Sequence, residues 1–467
     1  MLRLLSFCLV LLFASTTTYA TQTDDVELLN ATLVARLHLA QKPEDGQMVG
    51  AYQVSFRANT EEPISKVHIL LNPGLQILKV VGAGNKPLNV REKNTTMTGS
   101  SGLMLRTATI TLPKPLKKNK GRAEIVIHYK GYLKDLSAYG VEGVPDQLHP
   151  DFTMIRAEGF AYPVFAKPDM AAISAAWNRK PFHQVAFLDV PGSNTVVGNL
   201  AIAQKTTSGD ITKLELKSSR PTGLMALAIG PYSTSAIGPV TLALLPAADI
   251  AINQQVKDAV TALEEQLGAP ASGIRMTVAT LPSSYSTPDS QGAYFTHDSA
   301  PINMAELKGA LFNMWRMNPE GRAGHWAEGF DRVMDAIIEG QPNVAAFTDT
   351  LFATSKTLLS NDPAMGKVAL TDYIIEGYDD ESGTISALAF IVLYQLMGEE
   401  AFTNLIAEMR RELSAGYVDM ASAAEFLDAT VTDKDARKFI KNWFASGKIG
   451  KDMDRSGTLK DLVTRYR

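Results

Sequence analysis

The sequence predicts an α+β protein, with an antiparallel β-sandwich or saddle in its N-terminal half and a mostly helical domain after it. From Val26 to about Ser233, short β-branched or alternating runs recur between Gly, Pro and Asn turns. From Ile250 onward the apolar residues fall instead at helical spacing. Strands gathered before helices indicate an α+β arrangement rather than an alternating parallel one. A chain of 467 residues has room for two or three domains. The expected division is a leader over 1–20, the β domain over 21–236, the helical domain over 237–447, and a C-terminal tail with a short helix over 448–467.

The leader reads as a secretory signal. Arg3 precedes an apolar run from Leu4 to Phe13, and Thr18-Tyr19-Ala20 supplies small residues for cleavage after Ala20. That run is too short to span a membrane. Cys8, the only cysteine, lies inside the run rather than at its end, which argues against a lipid anchor. The mature chain then has no cysteine and no disulfide, so its stability must come from a sizeable core. A periplasmic or secreted location follows. With 45% hydrophobic residues, 20% charged and a net charge of −4, bulk composition points neither to nucleic acid nor to membrane, and no transmembrane segment is expected in the mature chain.

Within the β domain, Tyr52–Ala58, Lys66–Leu71, Leu75–Val81, Leu103–Leu112 and Ala123–Tyr129 read as strands. The basic cluster Lys114 to Arg122 lies between two of them and reads as a solvated hairpin loop. Ile250–Leu267 follows as an amphipathic helix with apolar Ile252, Val256, Ala259, Val260 and Leu263, stopped by Gly268 and Pro270. Ile274–Leu281 reads as a strand, Pro282–Gly292 as a polar loop, and Ala293-Tyr294-Phe295 as a further strand. Asn303 to Glu339 forms two helices joined by a Pro/Gly turn, with Leu307, Ala310, Leu311 and Met314 on one apolar face and Phe330, Val333, Met334 and Ile337 on the other. Thr348–Leu359, Gly383–Met397, Phe402–Leu413 and Ala421–Leu427 continue as helices.

Several of these stretches carry a family likeness. Trp326 to Phe330 (WAEGF), trailing an ALFNMW segment, resembles the core of the aminopeptidase N-like zinc metallopeptidases, a gluzincin family. In that family one helix carries HExxHxW, whose two His bind zinc and whose Glu is the general base; the Glu of a following (W/L)xEGF motif is the third ligand. Here the HExxHxW window falls on Gly309, Ala310, Leu311, Phe312, Asn313, Met314 and Trp315. Trp315 is kept, while Gly309, Ala310 and Asn313 replace His, Glu and His. Glu328 stands at the third-ligand position, four residues closer to the first helix than usual. The resemblance extends in order along the chain: Tyr162 to Pro168 resembles (F/W)PCFDEP with Ala166-Lys167 for the acidic pair, and Phe182–Leu200 and Met225–Tyr232 resemble the strands that follow. Gly292-Ala293-Tyr294-Phe295 stands where the family's GAMEN strand, lining the substrate cleft, carries the Glu that holds a free amino terminus; Phe295 replaces it. Gly398–Phe402 matches the segment downstream of an oxyanion-stabilising Tyr, whose position falls near Gly383, leaving Tyr378 as a nearby substitute. Lys438–Gly447 resembles a closing FFxxWxxxxG.

The resemblance implies a thermolysin-like helical domain and a cleft that holds a peptide or protein ligand. The missing imidazoles and base imply no zinc and no catalysis, hence a pseudo-peptidase with no cofactor. An active metallohydrolase with zinc on Glu328, His325 and His297, and a structural subunit of a cell-envelope complex, are the alternatives. Oligomeric state stays open. Against the metal alternative, His325 reads more simply as a turn residue beside Trp326. Asp452, Asp454, Ser456 and Gly457 match the beginning of a calcium loop, but Val463 stands at its twelfth position, so a polar turn is expected there.

Overall fold

The computed structural model describes residues 25–467 apart from 61, 101, 119, 178, 180, 220, 271–273, 289–291, 300–301, 316–324, 340, 374 and 414–418. The leader expected over 1–20 lies outside the described residues. The N-terminal half opens with β1 (Val26–His38), β2 (Gln47–Ala58), β3 (Ile64–Leu71), β4 (Leu75–Gly82), β5 (Val90–Thr96), β6 (Met104–Leu116) and β7 (Ala123–Gly131). It continues through β8 (Thr153–Arg156), β9 (Val164–Phe165), α1 (Met170–Trp177), β10 (His183–Pro191), β11 (Thr195–Gly198), β12 (Ala201–Ser208), β13 (Ile211–Lys217) and β14 (Ala226–Gly230).

These strands make a seven-stranded sheet in the order β12-β13-β10-β1-β2-β7-β4, a four-stranded sheet β5-β6-β3-β9 and a three-stranded sheet β11-β14-β8. Pairing is antiparallel except where β1 runs parallel to β10. Alternation explains the layering. Along β1 and β2 every second residue is buried, so Leu33, Val54 and Phe56 share a core with Ile69, Leu105 and Ile110 of the second sheet. Phe56 and Phe165 meet across that core with ring centroids 5.6 Å apart.

The basic cluster departs from the expected hairpin. β6 belongs to the four-stranded sheet and β7 to the seven-stranded one, so the chain crosses between sheets after Leu116. The local turn is real, with Lys120 N donating to Lys117 O at 3.0 Å, but strand partnership is set by non-local pairing that a turn does not reveal.

The second half starts with β15 (Ser233–Ile237), β16 (Val240–Leu244), α2 (Ala251–Leu267), β17 (Met276–Leu281) and β18 (Ala293–His297). The four strands form one sheet in sequence order, antiparallel at β15 and parallel from β16 to β18. Helices follow: α3 (Met304–Phe312), α4 (His325–Glu339), α5 (Gln341–Asn361), α6 (Asp379–Met397), α7 (Glu399–Leu413), α8 (Met420–Thr430), α9 (Lys434–Trp443), α10 (Ile449–Asp454) and α11 (Leu459–Thr464). The apolar stripe read on α2 is buried throughout, and Gly268 ends the helix at φ 72, a conformation a side chain would strain. From Ile385 to Leu393 every residue of α6 is buried, so its apolar surface faces protein on all sides. Among the described residues no helix is long and apolar enough to cross a membrane.

The last two helices pack into this helical core through Ile449, Met453, Leu462 and Tyr466. Asp452, the first residue of the calcium-loop likeness, sits inside a helix with its carboxylate turned inward. It accepts hydrogen bonds from Trp443 Nε1 at 3.2 Å and from the Tyr466 hydroxyl. That hydroxyl's pKa is raised by burial and by the Asp452 carboxylate it bonds.

A buried ion pair of the first half holds an arginine that reaches into the second. Arg156, at the end of β8, and Asp146 are both fully buried and meet at 2.9 Å. Arg156 also donates to Gly143 O at 2.7 Å and reaches into the second half, donating to Ser286 O at 2.7 Å. Ser286 N in turn donates to Gly143 O at 2.7 Å. Burial pushes the Asp146 carboxyl upward, and the guanidinium opposes that shift. Replacing Arg156 with Met would strand a buried carboxylate, so Arg156→Met is expected to cost about 3–5 kcal/mol in urea unfolding. Asp146→Asn added to it should restore part of the loss. A cost below about 1 kcal/mol would contradict the ion pair's role as the joint.

Candidate functional site

Asn303 starts α3, its side chain accepting from Ala305 N, and the helix buries Leu307, Leu311 and Phe312. Gly309 and Ala310 lie half-buried on it and offer no side-chain donor atom. Asn313 closes the helix: its Nδ2 donates to Ala310 O at 2.9 Å, and its backbone N–H reaches the same carbonyl at 3.1 Å. The side chain at the second imidazole position is thus folded back on its own helix end, an asparagine's usual competition with the backbone. Trp315 is fully buried and donates from Nε1 to Gly268 O at 2.8 Å, locking α3 to the end of α2.

Zinc needs imidazole, thiolate or carboxylate donors converging on one point. Glycine, alanine and a self-bonded asparagine do not fit that requirement. Among the described residues no group of three His, Cys, Asp or Glu is placed to hold a metal ion. The side chains of His325, Trp326 and Glu328, and the whole of Arg316 and Arg322, lie outside the described residues, so the expectation that Asn313 or an arginine satisfies Glu328 lies outside them too.

Around Glu328 the backbone of α4 is described. Ala327, Phe330, Val333 and Met334 are fully buried, and Phe330 packs edge-on against Phe390 of α6 with centroids 5.0 Å apart. Gly329 marks the crossing of α4 and α6. A Cβ there would stand 2.0 Å from Gly383 O and 2.4 Å from Ser386 Oγ. Gly383, read from the sequence as the vacated tyrosine position, is therefore a point of close helix approach.

β18 is the last strand of its sheet among the described residues, paired through Ala279↔Phe295 with β17. Gly292 precedes it at φ 90. Ala293 and Phe295 turn into a small core with Phe152, Met154 and Tyr232, so the residue at the family's glutamate position is used for packing. Tyr294 is half-buried against the helical core, and burial together with nearby Glu306 pushes its phenol upward. His297 ends the strand with Nε2 bonded to Tyr285 O at 2.7 Å. Tyr378 stands at the N-terminal end of α6, its ring tilted against Tyr373 at 5.7 Å and its hydroxyl bonded to Asp362, which places its described partners at the α5–α6 corner.

The structure thus places Gly309 and Ala310 on α3, Asn313 and Trp315 in the turn that closes it, and Ala293 to Phe295 on β18 just after Gly292. It leaves His297 and Tyr378 with partners of their own. Sequence reasoning missed the Arg156–Ser286 link, which positions the loop before β18. The available signal was a charge inside the apolar strand TMIR.

No family model and no curated protein matches this sequence. Solved structures do resemble the chain. A mutant M1 zinc metallopeptidase from Deinococcus radiodurans is 16% identical, with a TM-score of 0.49, over 90% of this chain and 94% of its own. The mutant bound to Tyr-Ser-Ala substrate is 16% identical over 91% and 95%, TM-score 0.48. A two-domain M1 zinc metallopeptidase mutant bound to L-arginine is 14% identical over 90% and 94%, TM-score 0.48. These neighbours are of the aminopeptidase N-like family whose motifs the sequence resembles.

Gly329→Ala forces α4 and α6 apart and is expected to destabilise the helical half by about 1–3 kcal/mol. Denaturant unfolding followed by tryptophan fluorescence would measure it; an unchanged midpoint would contradict the tight crossing.

Proposed function

We propose that this chain is an exported, peptidase-like protein that binds an extended peptide or protein segment without cleaving it. The observation that carries this is Asn313 closing its own helix where the family's second zinc-binding imidazole stands, beside Gly309 and Ala310, which have no donor atoms. The two α3 ligands and the general base are then absent together, and Glu328 alone does not hold a catalytic zinc. What remains is a strand edge at β18 and a half-buried Tyr294 beside it. An extended segment adds to such an edge through main-chain hydrogen bonds, with side-chain pockets setting preference. Export follows from the leader, Arg3 to Ala20.

Purified protein is expected to carry zinc well below one equivalent by elemental analysis and to leave aminoacyl-arylamides and peptides intact. Dialysis against a chelator should not shift its melting temperature. Stoichiometric zinc, with turnover abolished by Glu328→Ala, would overturn the proposal.

A second expectation concerns the ligand's end. Phe295 offers no charge to a free α-amino group. In calorimetric titration, N-acetylation of a bound peptide should therefore change Kd by less than about twofold. A tenfold or larger loss on acetylation would reveal an amine-binding carboxylate and restore exopeptidase-like recognition.

A further inference from the structure

The β domain carries a cleft away from α3 and β18. It is a shallow, solvent-open cleft where the start of β1, the strand β3 and the stretch from β9 to α1 meet, with a cavity volume of about 40 Å³. Val26, Phe165, Ala172 and Ala175 supply apolar wall, and the small alanines leave the space unfilled. Its polar groups are one-sided in charge. Lys66, Lys167 and His68 stand against a single carboxylate, Asp25. Lys167 Nζ already holds Asp25 at 2.8 Å, so the cleft binds a carboxylate belonging to its own chain. His68 is half-buried, with Nδ1 fixed by Thr109 Oγ1 at 3.2 Å.

We propose that this cleft is a binding site for a small organic carboxylate with a short apolar tail. Its carboxylate replaces Asp25 on Lys167 and takes a second hydrogen bond from His68 Nε2, while its tail lies on Phe165, Ala172 and Ala175. A charge-assisted bond to an ammonium gives attraction, and the apolar walls distinguish a tailed anion from an inorganic one.

Proton linkage follows from the same groups. Burial, then Lys167 and Lys66, hold His68 below its usual 6.5, while Asp25 pulls the other way. A bound anion favours the imidazolium, so binding takes up a proton and strengthens as pH falls through the His68 titration.

The experiment is an NMR titration of the His68 imidazole with butyrate, run beside inorganic phosphate and chloride, on the intact chain. Butyrate is expected to give saturable shifts and to raise the His68 pKa, with phosphate and chloride at least about tenfold weaker. Lys167→Ala should weaken butyrate about tenfold, and Ala175→Leu should block it without altering charge. Asp25→Asn, which removes the competing carboxylate, should tighten it. Equal binding of phosphate, no saturable shift, or weaker binding in Asp25→Asn would each overturn the site.

Discussion

Arg156, held in the β domain by buried Asp146, is the constraint that ties the first half to the second through Ser286. Two charges taken out of water are costly, and only a complete set of partners offsets the cost. Arg156 has that set: both carboxylate oxygens of Asp146, the carbonyl of Gly143 and the carbonyl of Ser286. Room for the carboxylate comes from Gly159, where a Cβ would stand 2.0 Å from Asp146 Oδ2. Ser286 belongs to the loop between β17 and β18, so the arginine holds the early part of that loop against the β domain. Tyr285, one residue earlier, packs its ring edge-on against Phe152 and gives its carbonyl to His297 at the strand's far end. Hydrogen bonds thus run from the β domain to both approaches of the candidate cleft.

Around α3 the contacts that hold the scaffold are separate from any cleft chemistry. Trp315 keeps its packing and its bond to Gly268, and the Gly329–Gly383 crossing keeps α4 against α6. None of these contacts involves a metal donor. A helix pair held by burial and close backbone approach persists when donor side chains change, because the core contributes its stability independently of what lines the cleft. Asn313 shows the local chemistry of an amide at a helix end, which bonds a carbonyl of its own last turn.

Legibility differed by element. The amphipathic stripes of α2 and α4 were readable because burial there repeats at the helical period, and Gly268 marked where α2 stops. The hairpin expected at 114–122 failed, since a turn between two strands does not say whether they share a sheet. The candidate helix was readable only as missing donors. Phe295 was identified as the residue at a glutamate position, yet its burial against Phe152 and Met154 depends on contacts more than a hundred residues distant in the chain. Lys167 was noted as a replacement for an acidic residue, but its partner Asp25 lies at the opposite end of the β domain sequence.

By itself the sequence determined the order of strands and helices and the absence of donor side chains at 309 and 310, because periodicity and side-chain chemistry are local properties. Tertiary structure decided which strands share a sheet, that Gly329 meets Gly383, that Arg156 reaches Ser286, and that Asp25, His68 and Lys167 face one cleft. Those pairings are fixed by the burial of surfaces far apart in the chain, a balance that no single window of residues contains.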